Sequence, residues 1–266
     1  MGSVPAPSPD PAAGGERKAR LMALRSALAA HGGREGGIRA RPLGEDGIDS
    51  ALPWGGLPLG AVHEVAPAGP GDRAAAAGFA AALAGRFAAG EGADDVPGLV
   101  MWCVVGGSGQ PGLPHGPGLA AFGLSPRSLF VVDARRREDA LWAMEQGLRA
   151  RRLAVLVGEI DRLGLVEGRR LSLAAEAGGG IALVLRSAPP AGEPSAAWTR
   201  WRVAAAPAGP GPFGIGLGAP RWRVELSRCR GAPPRDWLVE WQDEAHRLAV
   251  VAPLADGLPA TRRAVG

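Results

Sequence analysis

Residues Ala66-Pro67-Ala68-Gly69-Pro70-Gly71-Asp72-Arg73 stand where this chain could hold a phosphate. They follow Ala61–Val65, which reads as a short buried strand, and lead into an Ala-rich stretch of helical composition, Arg73 to Phe87. In such a strand–loop–helix setting the pattern G-x-x-x-x-G-K-[ST] cradles phosphates on backbone N–H groups. Its Lys meets the β/γ-phosphates and its hydroxyl holds Mg²⁺. Here Ala66 takes the first Gly position, Gly71 keeps the second, Asp72 replaces the Lys and Arg73 replaces the hydroxyl residue. Pro67 and Pro70 each remove an N–H from the nest. A carboxylate about 4 Å from a phosphate charge costs roughly 4 kcal/mol at an effective dielectric near 20. Arg73 can reach a phosphate only from the metal ligand's place. The residues therefore predict a strand–helix connection that has lost its nucleotide chemistry, with no cofactor and no metal.

Other chemistry-bearing residues are sparser. The loop Gly106 to Gly118 carries Ser108, Gln110 and His115. A serine and a histidine suggest nucleophilic hydrolysis, but Gly106-Gly107-Ser108-Gly109-Gln110 is not a G-x-S-x-G elbow and no helix follows it directly. His31, His63, His115 and His246 share no metal-ligand spacing with one another or with Cys103 and Cys229. Residues 198–235 hold Arg200, Arg202, Arg221, Arg223, Arg228, Arg230 and Arg235 against Glu225 alone, interleaved with Trp198, Trp201 and Trp222. Three readings stand. Arg with Trp suits a protein interface or single-stranded nucleic acid; the third is an edge hairpin with solvated arginines and half-buried tryptophans.

The elements that must position these groups follow from periodicity. Val62–Val65 and the continuous apolar runs Leu99–Val105, Leu129–Val132, Leu153–Val157 and Ile181–Leu185 predict strands. Between them Arg73–Phe87, Leu119–Phe122, Arg137–Arg149 and Gly168–Ala177 predict helices. That alternation argues for an α/β fold, a mostly parallel sheet covered on both faces. Trp201–Ala205, Trp222–Arg228 and Trp237–Trp241 alternate and predict a C-terminal antiparallel extension. The core is expected from Val62, Val65, Leu83, Val100, Trp102, Val104, Phe130, Val132, Val155, Val157, Leu183 and Leu185.

Composition bounds the rest. The chain has 266 residues, 42 Gly, 25 Pro, no Tyr and a net charge of +4. Lys18 is the only lysine. Arg-dominated basicity is also what a high-GC coding bias yields, so charge alone decides nothing about nucleic acid. Two distant cysteines without CxxC spacing favour reduced thiols in a cytoplasm. No apolar run reaches the ~18 residues of a membrane span, and Met1 to Pro11 lacks the apolar core of a signal peptide. The expected organisation is a disordered tail over 1–15 and an N-terminal helix and linker over 16–52. The main domain over 53–245 and a C-terminal tail over 246–266 complete it. Leu21, Leu24 and Leu28 give the N-terminal helix an apolar stripe that docks on its own domain or on a second subunit.

These segments resemble a known superfamily. Gly55-Gly56-Leu57-Pro58-Leu59-Gly60-Ala61-Val62-His63-Glu64-Val65 looks like the lead into the phosphate loop of RecA-type recombinases. Phe122 to Phe130, Glu138 to Glu145, Leu171 to Gly179, Ala182 to Arg186 and Trp222 to Gly231 resemble later RecA-like segments. Within the superfamily the likeness, over about residues 16–245, is to ImuA-type proteins, RecA-like accessory factors of bacterial mutagenesis cassettes, some described as SulA-like. Leu171–Gly179 and Trp222–Gly231 carry most of its specificity. It implies a cytoplasmic, non-catalytic role in damage-induced translesion synthesis. The implied partners are an inactive Y-family-like polymerase homologue and an error-prone C-family polymerase, with DNA contact and self-association open. The alternatives are a SulA-like inhibitor of cell division and a divergent ATPase using Arg73 and Glu159. Against RecA-type ATPases, the metal-holding acid is expected just after Val157, where Gly158 stands, with Glu159 and Asp161 beyond. The catalytic Glu falls in Gly106-Gly107-Ser108-Gly109, which holds no carboxylate.

Overall fold

Strands whose residues are buried on both faces build the centre of the sheet. In the computed structural model β3 (Ala61–Pro67), β4 (Leu99–Val105) and β7 (Ile181–Leu185) are buried almost end to end, as the continuous apolar runs require of parallel strands. The structure describes residues 37–89, 98–106, 113–187, 192–209, 211, 216, 218–243 and 245–253. The chain divides into one unit over Met1–Ile38 and a second over Arg39–Gly266. The expected tail over 1–15 and the helix with Leu21, Leu24 and Leu28 lie outside the described residues.

In the second unit these strands join β5 (Leu129–Ala134), β6 (Leu153–Glu159), β8 (Thr199–Ala206), β9 (Arg221–Cys229), β10 (Arg235–Gln242) and β11 (Arg247–Pro253). Together they form a nine-stranded sheet of order β11-β10-β9-β8-β3-β7-β6-β4-β5. From β8 to β5 neighbours are parallel; from β8 to β11 they are antiparallel. The fold is the expected α/β arrangement with an antiparallel C-terminal extension. A separate two-stranded ladder pairs β1 (Ala40–Arg41) with β2 (Leu57–Pro58).

Each face of the sheet has its own core. A short helix α1 (Asp46–Asp49) precedes the long α2 (Arg73–Ala88), which brings Phe79, Leu83 and Phe87 against Val65, Val100, Trp102, Val155, Val157 and Leu183. After the five-residue α3 (Gly116–Ala120), helices α4 (Arg137–Arg149) and α5 (Leu165–Gly178) cover Val62, Met101, Cys103, Leu156 and Val184 on the other face. Gly85 lets α2 approach the turn at Phe122: a Cβ there would sit 1.8 Å from the Phe122 carbonyl oxygen. Helix α5 begins at Leu165, three residues before the expected Gly168, because Glu167 accepts the Gly164 N–H (2.8 Å) and binds Arg137. The short helix starts at Gly116 rather than Leu119 because Pro117 suits a first turn.

Three expectations fail. Phe130 is 54% exposed and Val132 only half-buried, because β5 is the last strand of the sheet. The stretch before residue 53 is no linker from Arg39 on: Leu43, Ile48 and Leu52 sit in the core, and Asp49 takes the N–H groups of Leu43, Gly44 and Glu45. The sheet also runs past residue 245. Strand β11 pairs with β10, and Leu248 is buried, so a tail beginning at 246 is wrong. Residues 254–266 lie outside the described ones.

Candidate functional site

In open α/β sheets ligands bind beyond the carboxyl ends of parallel strands. Here a cleft of about 320 Å³ lies at that edge, lined by Pro67 at the end of β3, Gly69 and Pro70 after it, Arg73 of α2, Glu159 of β6, and Arg186 and Ser187 after β7. The remnant loop is its rim. Gly69 is extended, Pro70–Asp72 form one 3₁₀ turn, and α2 begins at Arg73. Ala66, at the first Gly position, is fully buried in β3.

The loop's polar groups face their own protein. The Ala68 N–H donates to the Val203 carbonyl (2.8 Å) and the Asp72 N–H to that of Gly69 (3.0 Å). Asp72, in the Lys position, accepts the Ala205 N–H at 2.9 Å and so ties the turn to β8. Gly71 meets nothing within 4 Å of an added Cβ. Arg73 turns the other way, with Nη1 3.1 Å from Asp161 Oδ1 and Nη2 3.8 Å from Glu159 Oε2.

Strand alternation corrects the expected acid slot. Glu159 shares the α2 face with Val155 and Val157, and Trp102 Nε1 donates to it at 2.8 Å. Position 158 points to the opposite face, where a Cβ would lie 2.3 Å from Met144 Cε. An acid at 158 could not enter the cleft; Glu159 does. Of the stretch compared with the catalytic Glu, only Gly106 is described. Ser108 and Gln110 lie outside, and His115 is an exposed residue before α3. Among the described residues no three His, Cys, Asp or Glu gather as metal ligands. Cys103 and Cys229 are free thiols, each pushed up to about 11 by burial; the Asp133 charge adds to it at Cys103.

The Arg/Trp stretch divides by pleat. Trp201 and Trp222 point inward, fully or nearly buried against Phe79 at ring distances of 6.0 and 6.2 Å, so neither is a surface anchor. Arg200 is buried too, its Nε 2.8 Å from Glu64 Oε2. Arg202 pairs with Glu225 (3.3 Å) and Arg221 with Glu240 (2.5 Å). Arg223 is exposed on β9. At the other end of the sheet from the cleft, Arg230 lies 4.7 Å over the Trp198 ring, and Trp54 packs edge-on to Trp198 at 5.1 Å. Arg228 and Arg230 are exposed, donating to the carbonyls of Ser195 (3.1 Å) and Ala196 (2.7 Å). The surviving surface set is thus Trp198, Arg228 and Arg230 together, with Arg223 apart.

Two buried polar networks went unread in the sequence. Glu64 meets Arg200, Arg186 Nη1 (3.3 Å) and the Ser195 hydroxyl (2.5 Å), while Arg186 Nη2 pairs with Glu193 at 2.8 Å. On the α2 face His63 Nε2–H donates to the Pro58 carbonyl (3.1 Å). Its Nδ1 then accepts the Thr199 hydroxyl (2.8 Å), which accepts Trp201 Nε1–H (2.8 Å). Burial holds His63 neutral, down at about 4. The signal for both was His63-Glu64 inside an otherwise apolar strand.

No family model matches the chain. Two curated relatives, each named Protein ImuA and from the NA1000 and CB 15 strains of Caulobacter vibrioides, are 40% identical to it over 228 residues. The match spans 80% of this chain and 89% of each relative. At that identity and coverage the chain belongs to the ImuA family.

Proposed function

We propose that this chain is a non-catalytic, RecA-like accessory protein of damage-induced translesion mutagenesis that acts in the cytoplasm as a scaffold. Its family supports the mutagenesis setting. The strand order β8-β3-β7-β6-β4, with the remnant loop after β3 and an acid ending β6, supports the RecA-like core. The observation that carries the non-catalytic reading is Arg73. Its guanidinium lies against Glu159 and Asp161, so the acids that could hold a metal already have a cation. Asp72 presents no positive charge to a phosphate and is committed to β8.

The scaffold's partners are the inactive Y-family-like polymerase homologue and the error-prone C-family polymerase that the resemblance implies, with DNA as a further contact. The contact surface is the stack of Trp54, Trp198 and Arg230 with Arg228 beside it, since Trp and Arg dominate interface energetics. Affinity capture from DNA-damaged cells tests this reading. The intact chain should retain the polymerase homologue, and the Arg228→Glu/Arg230→Glu variant should lose it. Equal retention by both would remove this surface from the account.

One observation favours a second reading, a divergent ATPase: Glu159 faces α2 across the cleft. Nucleotide binding that Glu159→Gln weakens, with turnover to match, would support that reading over scaffolding alone.

A further inference from the structure

Strand β9 carries an irregularity that re-aims two arginines. Its ladder with β8 shifts register between Arg200 and Trp201; past the shift Arg228 stands opposite Arg200, and Cys229 opposite Thr199. Arg228 and Arg230 therefore project to the face that holds Arg200 and Glu64, away from Trp222, Val224 and Leu226. There each donates to a backbone carbonyl, Arg228 to Ser195 at 3.1 Å and Arg230 to Ala196 at 2.7 Å. That segment is itself held: the Ser195 hydroxyl donates to Glu64 at 2.5 Å and accepts the Ala197 N–H at 3.0 Å. Neither arginine makes an ion pair with another described residue. Burial, and then the Arg228 charge, push Arg230 below the usual arginine range, so the two guanidinia repel without relief. Half-buried Trp54 and Trp198 flank them.

We infer that Arg228 and Arg230 form a receptor for a carboxylate, an Asp or Glu side chain on an exposed segment of a protein partner. The inference rests on the contact surface proposed above and names what that surface recognises. A guanidinium fork matches a carboxylate with two parallel N–H bonds, and orienting it beforehand lowers the cost of binding. A nucleic-acid strand asks for something else: a run of cations along its phosphates and open ring faces for its bases. Here the neighbouring cations are neutralised, Arg200 by Glu64, Arg202 by Glu225 and Arg221 by Glu240. Arg223 lies five residues back along β9, about 17 Å away at the rise of a strand. Arg235 alternates with Trp237 onto the opposite face. Arg230 already sits 4.7 Å over the Trp198 ring, and Trp54 packs edge-on to it. The free positive charge is a point, not a track, and it fits one carboxylate with an apolar neighbour.

Titration of the full chain, followed through the side-chain Nε–H signals of Arg228 and Arg230 in NMR spectra, tests the inference. The Arg228→Gln and Arg230→Gln spectra assign the two signals. The probes are the acetylated amide of Leu-Glu-Leu-Glu-Leu, its Gln counterpart and a twelve-nucleotide oligothymidylate, all at one ionic strength. The Glu peptide should shift both signals. Each Arg→Gln variant should weaken it at least about fivefold, because a charge-assisted bond is lost, with the melting temperature held since both residues are exposed. The Gln peptide should bind at least about tenfold more weakly than the Glu peptide, and the oligothymidylate should leave both signals in place. No shift with the Glu peptide overturns the inference. So does an equal response to the Gln peptide, or a larger one to the oligothymidylate. If capture of the polymerase homologue fails while the Glu peptide binds as stated, the partner named above is wrong and the receptor stands.

Discussion

Arg73 and Asp161, 88 residues apart in sequence, meet at 3.1 Å across the mouth of the cleft. Asp161 also accepts the Ser187 hydroxyl at 3.3 Å, so one contact draws together the start of α2 and the ends of β6 and β7. Both side chains are 45% exposed. Such a pair contributes about 0–1 kcal/mol, so Arg73→Ala should leave the denaturant midpoint nearly unchanged. A large loss in urea melts would mean that Arg73 has a structural role beyond these acids.

Glu64 behaves differently because it is buried. Glu64→Ala leaves Arg200 charged and without a carboxylate inside the fold, and leaves Arg186 with Glu193 alone. Breaking a buried pair from one side costs about 3–5 kcal/mol. Chemical denaturation should show that loss, and Glu64→Gln should recover only part of it. A midpoint within error of the parent for Glu64→Ala would contradict the network.

His63 makes stability pH-dependent. Its imidazole titrates near 6.5 in the unfolded chain and at about 4 in the fold, mainly through burial. Between those values the unfolded chain binds the extra proton. The contribution is therefore complete above pH 6.5 and is lost as pH falls toward 4, by about 3 kcal/mol in all. Urea melts at pH 7, 6, 5 and 4.5 should trace that slope, and His63→Gln should flatten it above pH 5.

Leu248 tests the last strand. It is 2% exposed in the core beside Trp241 and Trp237. Leu248→Ala should cost about 2–5 kcal/mol, and truncation after Ala245 should destabilise the domain by stripping the outer edge of β10. A truncated chain melting like the parent would return residues 247–253 to a dispensable tail.

Charge reversal at Arg223 and Arg230 separates binding from folding. Both are exposed, so the double Glu variant should keep a melting temperature within a few degrees of the parent. It should weaken partner capture. If the lost ligand is DNA, the parent's affinity should fall steeply with salt as counterions are no longer released; a Trp-anchored protein contact should fall less.

The parallel half of the sheet was legible because Leu99–Val105 and Ile181–Leu185 are apolar on both faces, with Val62–Val65 reading as a short strand despite His63 and Glu64. The same signal misplaced Phe130, since an apolar edge strand reads like a central one. Period two could have turned Trp201 and Trp222 inward, because each shares a face with Val203 or Val224. It could also have chosen Glu159 over Gly158, as the alternate neighbour of Val157. Leu43, Ile48 and Leu52 were missed because they bury without helical or strand periodicity, on a segment held by Asp49 and the β1–β2 ladder. The remnant loop was read from residue types alone; that Asp72 grips the Ala205 N–H needed β8 beside it.

The most direct test is ATP turnover by the purified full chain, with and without single-stranded DNA. Turnover indistinguishable from buffer is expected in both cases. Asp72→Lys should not create activity, because Arg73 still occupies the acids and the turn has lost its tie to β8. DNA-stimulated hydrolysis abolished by Arg73→Ala or Glu159→Ala would contradict it.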